Sequence, residues 1–381
     1  MDEFLINTTT AGDQEQPAIA GLTGTQFVAV WTDRQSGNIK GQMFGVNGAK
    51  SSSEFTVNFP GAVGTKRALP AIIETDTGFV VAWVEQAPSA SAQLKLRTFD
   101  ADTLSGPESQ VSSAEVEPLM RPVLARLPGS RFIVVWADKR ANERIRAQRY
   151  GVDGTKAGAE FRANTVPGLH RVPMVASLTN GNIVIGWRAR LPGPLLAHLQ
   201  IFNATAPVGT EITTALNITD AAMVALDSGR FVITHTRSAL DGETGFDTVI
   251  AQSSVFEASG AFANIRIAAT TGTQIQSSWP TLVPLSGGRF LVAWTQSATA
   301  NPAAAGTNVM ARLFSAKGAI GNVVQVNTSR GGNRFSLAAA ATAGPAGETA
   351  FFAWGDDTAK GADTAGGAIQ GRVLPIPAAG F

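Results

Sequence analysis

The sequence predicts an all-β chain: a seven-bladed β-propeller of four-stranded antiparallel blades, with the N-terminal strand completing the last blade. Three observations carry that expectation. An apolar strand ending in Trp recurs along the chain, its recurrences are almost evenly spaced, and an element missing from the last repeat stands at the start of the chain.

Each repeat opens with an entry strand, often marked by Pro. A Gly-bearing turn, an apolar strand closed by Trp, a variable loop, a strand ending in an aromatic, a second turn and a strand resembling Glu-Phe-x-Val-Asn follow. The clearest copy runs from Pro17 through Phe27-Val28-Ala29-Val30-Trp31 and Phe44 to Glu54-Phe55-Thr56-Val57-Asn58. The closing Trp residues 31, 83, 136 and 187 are 52, 53 and 51 residues apart. A fifth copy, Phe231 to His235, carries His in the Trp place, and Phe290 to Trp294 and Ala350 to Trp354 complete seven units. Four strand-length segments per unit of about 50 residues is the pattern of propeller blades.

The ends decide how the ring closes. The last unit, residues 335–374, supplies strands near Phe335, Phe351 and Ile369 and then stops at Pro375-Ile376-Pro377. Its missing fourth strand matches Glu3-Phe4-Leu5-Ile6-Asn7, so residues 3–7 are expected to complete that blade and remove an open sheet edge. Residues 1–381 are then one propeller domain.

Composition agrees and excludes several classes. The chain is 44% apolar and only 15% charged, with 40 Gly and 19 Pro, which suits many short strands and turns. With 30 Lys+Arg against 29 Asp+Glu there is no bulk charge to attract nucleic acid or an anionic membrane. There is no cysteine, hence neither a disulfide frame nor a thiolate metal site. No apolar run reaches the roughly 18 residues of a membrane span, and no leader pattern opens the chain, so membrane insertion is not expected.

Gly12-Asp13-Gln14 before Pro17, the recurring Gly-x-Phe-Val-Val-x-Trp and Gly158-Ala159-Glu160-Phe161-Arg162-Ala163-Asn164 together resemble the Trp-bearing propeller repeats of large secreted bacterial proteins of the RTX (calcium-binding, type I secreted) and adhesin kind. That resemblance implies an extracellular or cell-surface address, with any secretion signal outside this sequence. The nonapeptide calcium repeats of the RTX group are absent.

Among candidate functional residues, the Trp set reads as inter-blade core, because one fixed strand position serves six blades. The recurrent Glu3, Glu54, Glu108, Glu160 and Glu211 read as edge residues that satisfy neighbouring turns or discourage edge pairing. Gly45–Gly48 and Gly151–Gly154 read as hairpin turns, without the acidic ladder of a calcium loop.

The loops between the two middle strands share no common sequence: 32–38, 85–93, 138–144, 188–194, 237–247, 296–308 and 355–367. The turns on the opposite face, such as Leu127-Pro128-Gly129-Ser130, are short and repetitive. The variable face is therefore expected to be the binding face.

Just before the innermost strands on that face stand Arg67, Arg121, Arg171 and Arg334. They form either a guanidinium ring for carboxylates or phosphates, or closed pairs with acids such as Glu117, Asp220 and Glu15. Trp279 offers a stacking platform, with packing beneath a long loop as the alternative. His170 and His235, in adjacent blades, with a nearby acid such as Asp220 offer a metal or acid–base site, with satisfied core or loop histidines as the favoured alternative, since three metal ligands at a recognisable spacing are not evident.

The sequence names no reaction. It favours a non-enzymatic binding or adhesion module recognising an extracellular glycan, an anionic small molecule or a partner protein, with no cofactor, no metal and a monomeric state. A polysaccharide-directed hydrolase or lyase at the channel mouth, and a structural spacer of a larger secreted protein, remain open as alternatives.

Overall fold

A computed structural model describes the chain except residues 1, 24–25, 101–104, 140–143, 191–194, 241–246, 269–276, 298–305, 330, 345–346, 358–365 and 379. At 190, 237–240, 247–251, 264–268 and 277–279 only the backbone is described. Seven four-stranded antiparallel sheets form a ring.

From the innermost strand outward, blade I is Gln14–Leu22, Gln26–Asp33, Asn38–Gly45 and Phe55–Thr56, and blade II is Lys66–Glu74, Gly78–Gln86, Gln93–Asp100 and Ser105–Gln110. Blade III is Val123–Leu127, Arg131–Asp138, Arg144–Gly151 and Phe161–Arg162; blade IV is Leu169–Ser177, Ile183–Arg190, Leu195–Phe202 and Pro207–Asn217. Blade V is Ala221–Ala225, Phe231–Leu240, Asp247–Phe256 and Phe262–Ala268; blade VI is Ser277–Pro284, Arg289–Ser297, Thr307–Ser315 and Gly318–Gln325. Blade VII is Arg334–Gly344, Gly347–Asp356, Ala368–Pro375 and, from the other end of the chain, Phe4–Leu5. The one helical piece among the described residues is a 3₁₀ turn at Ser286–Gly288.

The second strand of each blade is apolar without alternation because both its faces are covered, one by each neighbouring blade. In Phe27-Val28-Ala29-Val30-Trp31 every residue is fully buried. The aromatic and β-branched side chains fit such a surface. The repeat Trp residues fill the joints between blades: Trp83 packs with Ala18, Val28, Ile39 and Val57 of blade I, and Trp31 packs with Ala338 and Ile369 of blade VII. The expected hairpins are present, with Gly48 N–H donating to Gly45 O at 2.9 Å and Gly154 N–H to Gly151 O at 3.0 Å. Both closing glycines have left-handed φ, 72° and 80°, a conformation that disfavours residues with a Cβ.

Ring closure by the N-terminal strand is as expected. Phe4 and Leu5 lie opposite Gly371 and Gln370. Ile6 N–H donates to Ile369 O at 2.9 Å, and Ile369 N–H donates to Asn7 Oδ1 at 2.9 Å. Ile6 is fully buried, and Phe4 meets Phe44 and Phe351 at 5.8 and 5.5 Å between ring centroids.

The Asn that ends the outermost-strand motif has the same task elsewhere. Asn58, Asn164 and Asn327 accept from Ile39, Ile145 and Val309 N–H at 2.8, 3.0 and 2.7 Å. The motif's Glu reaches the preceding blade instead. Glu54 accepts from Thr8 and Thr9 N–H, Glu108 from Phe59, Glu160 from Ser113, Glu211 from Thr165 and Val166, and Glu3 from Thr328 and Ser329. The expectation that these carboxylates serve neighbouring turns is met.

Removing residues 2–8 is therefore expected to lower the melting temperature of the whole ring cooperatively. Asn7→Ala alone, which leaves the buried Ile369 N–H without its acceptor, is expected to cost about 1–3 kcal/mol. Thermal and urea unfolding of both variants check this, and a truncated chain melting with the full-length one would refute the closure.

Candidate functional site

A cavity of about 990 Å³ runs where the seven innermost strands meet. A bulge interrupts these strands at Glu15/Ala18 in blade I, Ala68/Ala71 in II, Arg171/Met174 in IV, Ser278/Thr281 in VI and Phe335/Ala338 in VII. Gln16, Leu69, Val172 and Ser336 sit in those bulges with left-handed φ of 57°, 56°, 53° and 52°. Such residues store about 1–3 kcal/mol each and persist only where their surroundings hold them. Pro17, Pro70 and Pro173 follow three of them and cannot donate to the strand ladder, which favours the break. The Gln16 side-chain oxygen accepts from Leu69 N–H at 2.9 Å and from the Thr32 hydroxyl at 3.0 Å, linking one bulge to the next. All four strained residues border the cavity.

The four arginines have different surroundings. Arg67 is 5% exposed; its Nε lies 2.8 Å from Glu85, and its remaining donors reach carbonyls of Gly37 and Phe59. Arg334, 2% exposed, lies 3.7 Å from Asp356 and donates to Ser329 O and Oγ. Arg171 lies 3.8 Å from Glu117.

Arg121 differs from all three. Its Nη1 and Nη2 donate to Pro17 O and Gln16 O at 3.0 and 3.1 Å, and no carboxylate pairs with it among the described residues. Removal from water without a counter-charge pulls its pKa down to about 10, which leaves it a cation at neutral pH. Arg67 and Arg121 border the channel, whereas Arg171 and Arg334 do not.

His170 and His235 do not border the channel, whereas Asp220 does. His170 is buried, with Nε2 2.9 Å from Val166 O and its ring edge-on to Trp187 at 6.1 Å. Burial lowers its pKa. His235 is buried in blade V, opposite Ala221 and Gln252 in the sheet. Burial raises the Asp220 carboxyl, with Arg188 opposing the shift. No group of three His, Asp or Glu among the described residues is placed to hold a metal. The side chain of Trp279 and the tips of the longer variable loops lie outside the described residues.

Sequence reasoning did not single out Gln16, Leu69 and Val172, whose signal is a residue-Pro pair at the same place in blades I, II and IV. It also missed Lys66 at the mouth and the Leu119-Met120 pair beside Arg121, where Leu119 is 76% exposed.

No protein-family model matches the chain, and neither does any curated protein. Solved structures match its fold. A protein of unknown function from Dyadobacter fermentans is 12% identical, with a TM-score of 0.57 over 99% of this chain and 98% of that one. A polysaccharide lyase, an ulvan lyase bound to -[GlcA(1-4)Rha3S]-, is 8% identical, with a TM-score of 0.54 over 98% and 94%. The Aleuria aurantia lectin, in complex with Fucα1-6GlcNAc, is 13% identical, with a TM-score of 0.50 over 83% and 98%. At such identities the likeness shows the fold alone.

A buried cluster near His170 gives a pH-dependent prediction. His198 Nδ1 lies 2.9 Å from Glu211, and both side chains are at most 5% exposed. Burial alone would raise the Glu211 carboxyl, but His198 and the donors of Thr165 and Val166 outweigh it and hold it down at about 2. Its unfolded value is about 4.3, so its contribution is full above about pH 5 and is lost as pH falls towards 2. Glu211→Gln is expected to destabilise the protein at pH 7, with the gap from wild type closing between pH 5 and pH 2. Urea denaturation across that range checks it, and a gap independent of pH would refute it.

Proposed function

We propose that the protein is a binding module that receives an anionic extracellular ligand at the channel mouth of its variable-loop face. The observation that carries this reading is Arg121, a guanidinium in the channel wall without a carboxylate partner among the described residues. A guanidinium has five N–H groups, and two of Arg121's are spent on backbone carbonyls, which leaves donors for a carboxylate. Arg67, Arg171 and Arg334 are occupied by Glu85, Glu117 and Asp356, and in this reading they brace the loops rather than touch the ligand. The extracellular address follows the repeat resemblance, and acidic glycans are the first class to test, since propellers of this fold include a lectin and a lyase seen with sugars. A hydrolase or lyase built on His170, His235 and Asp220 is less well supported, because neither histidine borders the channel.

Titration calorimetry against trigalacturonate and its neutral methyl ester tests the reading. The acid is expected to bind more tightly than the ester, and Arg121→Met to weaken it by more than tenfold, from the loss of charge-assisted contacts worth about 1.5–3 kcal/mol. Raising the salt concentration weakens it further, because contacts at an open mouth are screened beyond about 8–10 Å. Equal affinity of wild type and Arg121→Met for every anion that binds would remove Arg121 from the site.

A further inference from the structure

We propose that the channel mouth takes a zwitterion, an amino acid or short peptide whose carboxylate meets Arg121 and whose ammonium group meets Asp220. The proposal rests on the anion-binding reading above and adds a second charge to the ligand. Arg121 and Asp220 border one cavity, yet among the described residues neither forms an ion pair with the other or with any third group.

Their separation follows from the ring. The Arg121 guanidinium lies on the carbonyls of Gln16 and Pro17, in the innermost strand of blade I. Asp220 directly precedes the innermost strand of blade V. In a ring of seven, blade V stands three places from blade I one way round and four the other, so the two charges lie on opposite sides of the channel. Lys66, exposed at blade II, enlarges the positive side. The other acid on the described lining, Glu15, is occupied by Arg34 at 2.7 Å.

Asp220 is the less usual of the pair. Its backbone is bonded to Thr236, but its carboxylate accepts no hydrogen bond among the described residues. Arg188 spends Nη1 on Thr219 O at 2.8 Å and acts on Asp220 only from beyond ion-pair distance. A partly buried carboxylate without donors is unfavourable, and its pKa is raised accordingly. An ammonium group brings three donors and a counter-charge at once. A purely anionic ligand leaves Asp220 unmatched and is repelled by it.

The wall between the two charges suits an uncharged polar body. Each innermost strand has a sheet neighbour on one side only. Thr75 N–H bonds to Gly78 O and Leu178 N–H to Asn182 O, so the alternation of antiparallel pairs turns the backbone N–H and C=O of Ile72 and Val175 away from that neighbour and towards the channel. The bond from Leu226 N–H to Arg230 O places Met223 in the same way. Peptide amides find donors and acceptors on such edges.

Calorimetric titration at neutral pH with triglycine, N-acetyltriglycine and triglycine amide tests this, because each of the last two lacks one charge. Wild type is expected to bind triglycine about tenfold more tightly than either blocked form. Asp220→Asn is expected to weaken triglycine about tenfold and to tighten N-acetyltriglycine and trigalacturonate, because it removes a charge that attracts the first and repels the others. A merely structural part for Asp220 would move all three in the same direction. Arg121→Met is expected to weaken triglycine and N-acetyltriglycine alike.

Triglycine that does not bind wild type, or binds no better than N-acetyltriglycine, overturns the proposal without requiring any variant. So does an Asp220→Asn protein, folded by circular dichroism, whose affinities all shift in the same direction. Should trigalacturonate bind through Arg121 while triglycine shows no advantage over its N-acetyl form, the zwitterion proposal falls and the anion reading stands. Undiminished binding of every carboxylate by Arg121→Met overturns both.

Discussion

Outermost strands as short as Phe4–Leu5, Phe55–Thr56 and Phe161–Arg162 carry too few ladder hydrogen bonds to hold a blade edge by themselves. They are held by the two polar ends of one short motif. The Asn binds inward to the third strand of its own blade, and the Glu binds sideways to backbone N–H groups of the blade before. Because hydrogen bonds to an ionised carboxylate are among the stronger neutral-pH contacts, the five joints that carry this Glu, at residues 3, 54, 108, 160 and 211, are fixed at the rim as well as in the aromatic core. Glu3 and Asn7 make these same contacts from the opposite end of the chain, and so the closing joint is built like the others.

A ring fixed at its rim can tolerate irregularity at its centre. The innermost strands have only one neighbour in their own sheet, and five of them bulge. The bulges do two things at once. They place left-handed residues such as Leu69 and Val172 against the cavity, and they bring the carbonyls of Gln16 and Pro17 within reach of Arg121 from two blades away. The cavity wall is thus made by backbone geometry as much as by side-chain identity, and it draws on blades that are far apart in sequence.

This explains what could be read from the sequence. Trp31, Trp83, Trp136 and Trp187 recur because identical joints need identical fillers, and Glu3-Phe4-Leu5-Ile6-Asn7 was recognisable as a displaced strand because the joint demands both its polar ends. Blade count, closure and the core role of Trp follow from such local, repeated constraints. The channel does not. Arg67 and Arg334 stand directly opposite Glu85 and Asp356 in the first hairpins of their own blades, but Arg171 stands opposite Arg188 and lies by Glu117, and Arg121 reaches backbone carbonyls two blades away, so their surroundings differ although their positions in the sequence are similar. His170 and His235 invited pairing because they lie in adjacent blades, but His170 packs on Trp187. No spacing rule encodes that choice.

The closing joint also imposes an order on synthesis. Asn7 and Ile369, which form one of its hydrogen bonds, are 362 residues apart. At about 5–20 residues per second, the first strand emerges roughly 20–70 s before its partner. Throughout that interval the nascent chain carries a first strand whose partner edge has not yet been made, an arrangement open to pairing with a second copy. The brevity of Phe4–Leu5 and the charge of Glu3 limit that hazard, since a two-residue strand led by a carboxylate is a poor template for a stranger and a sufficient one only for the ring that supplies its other contacts.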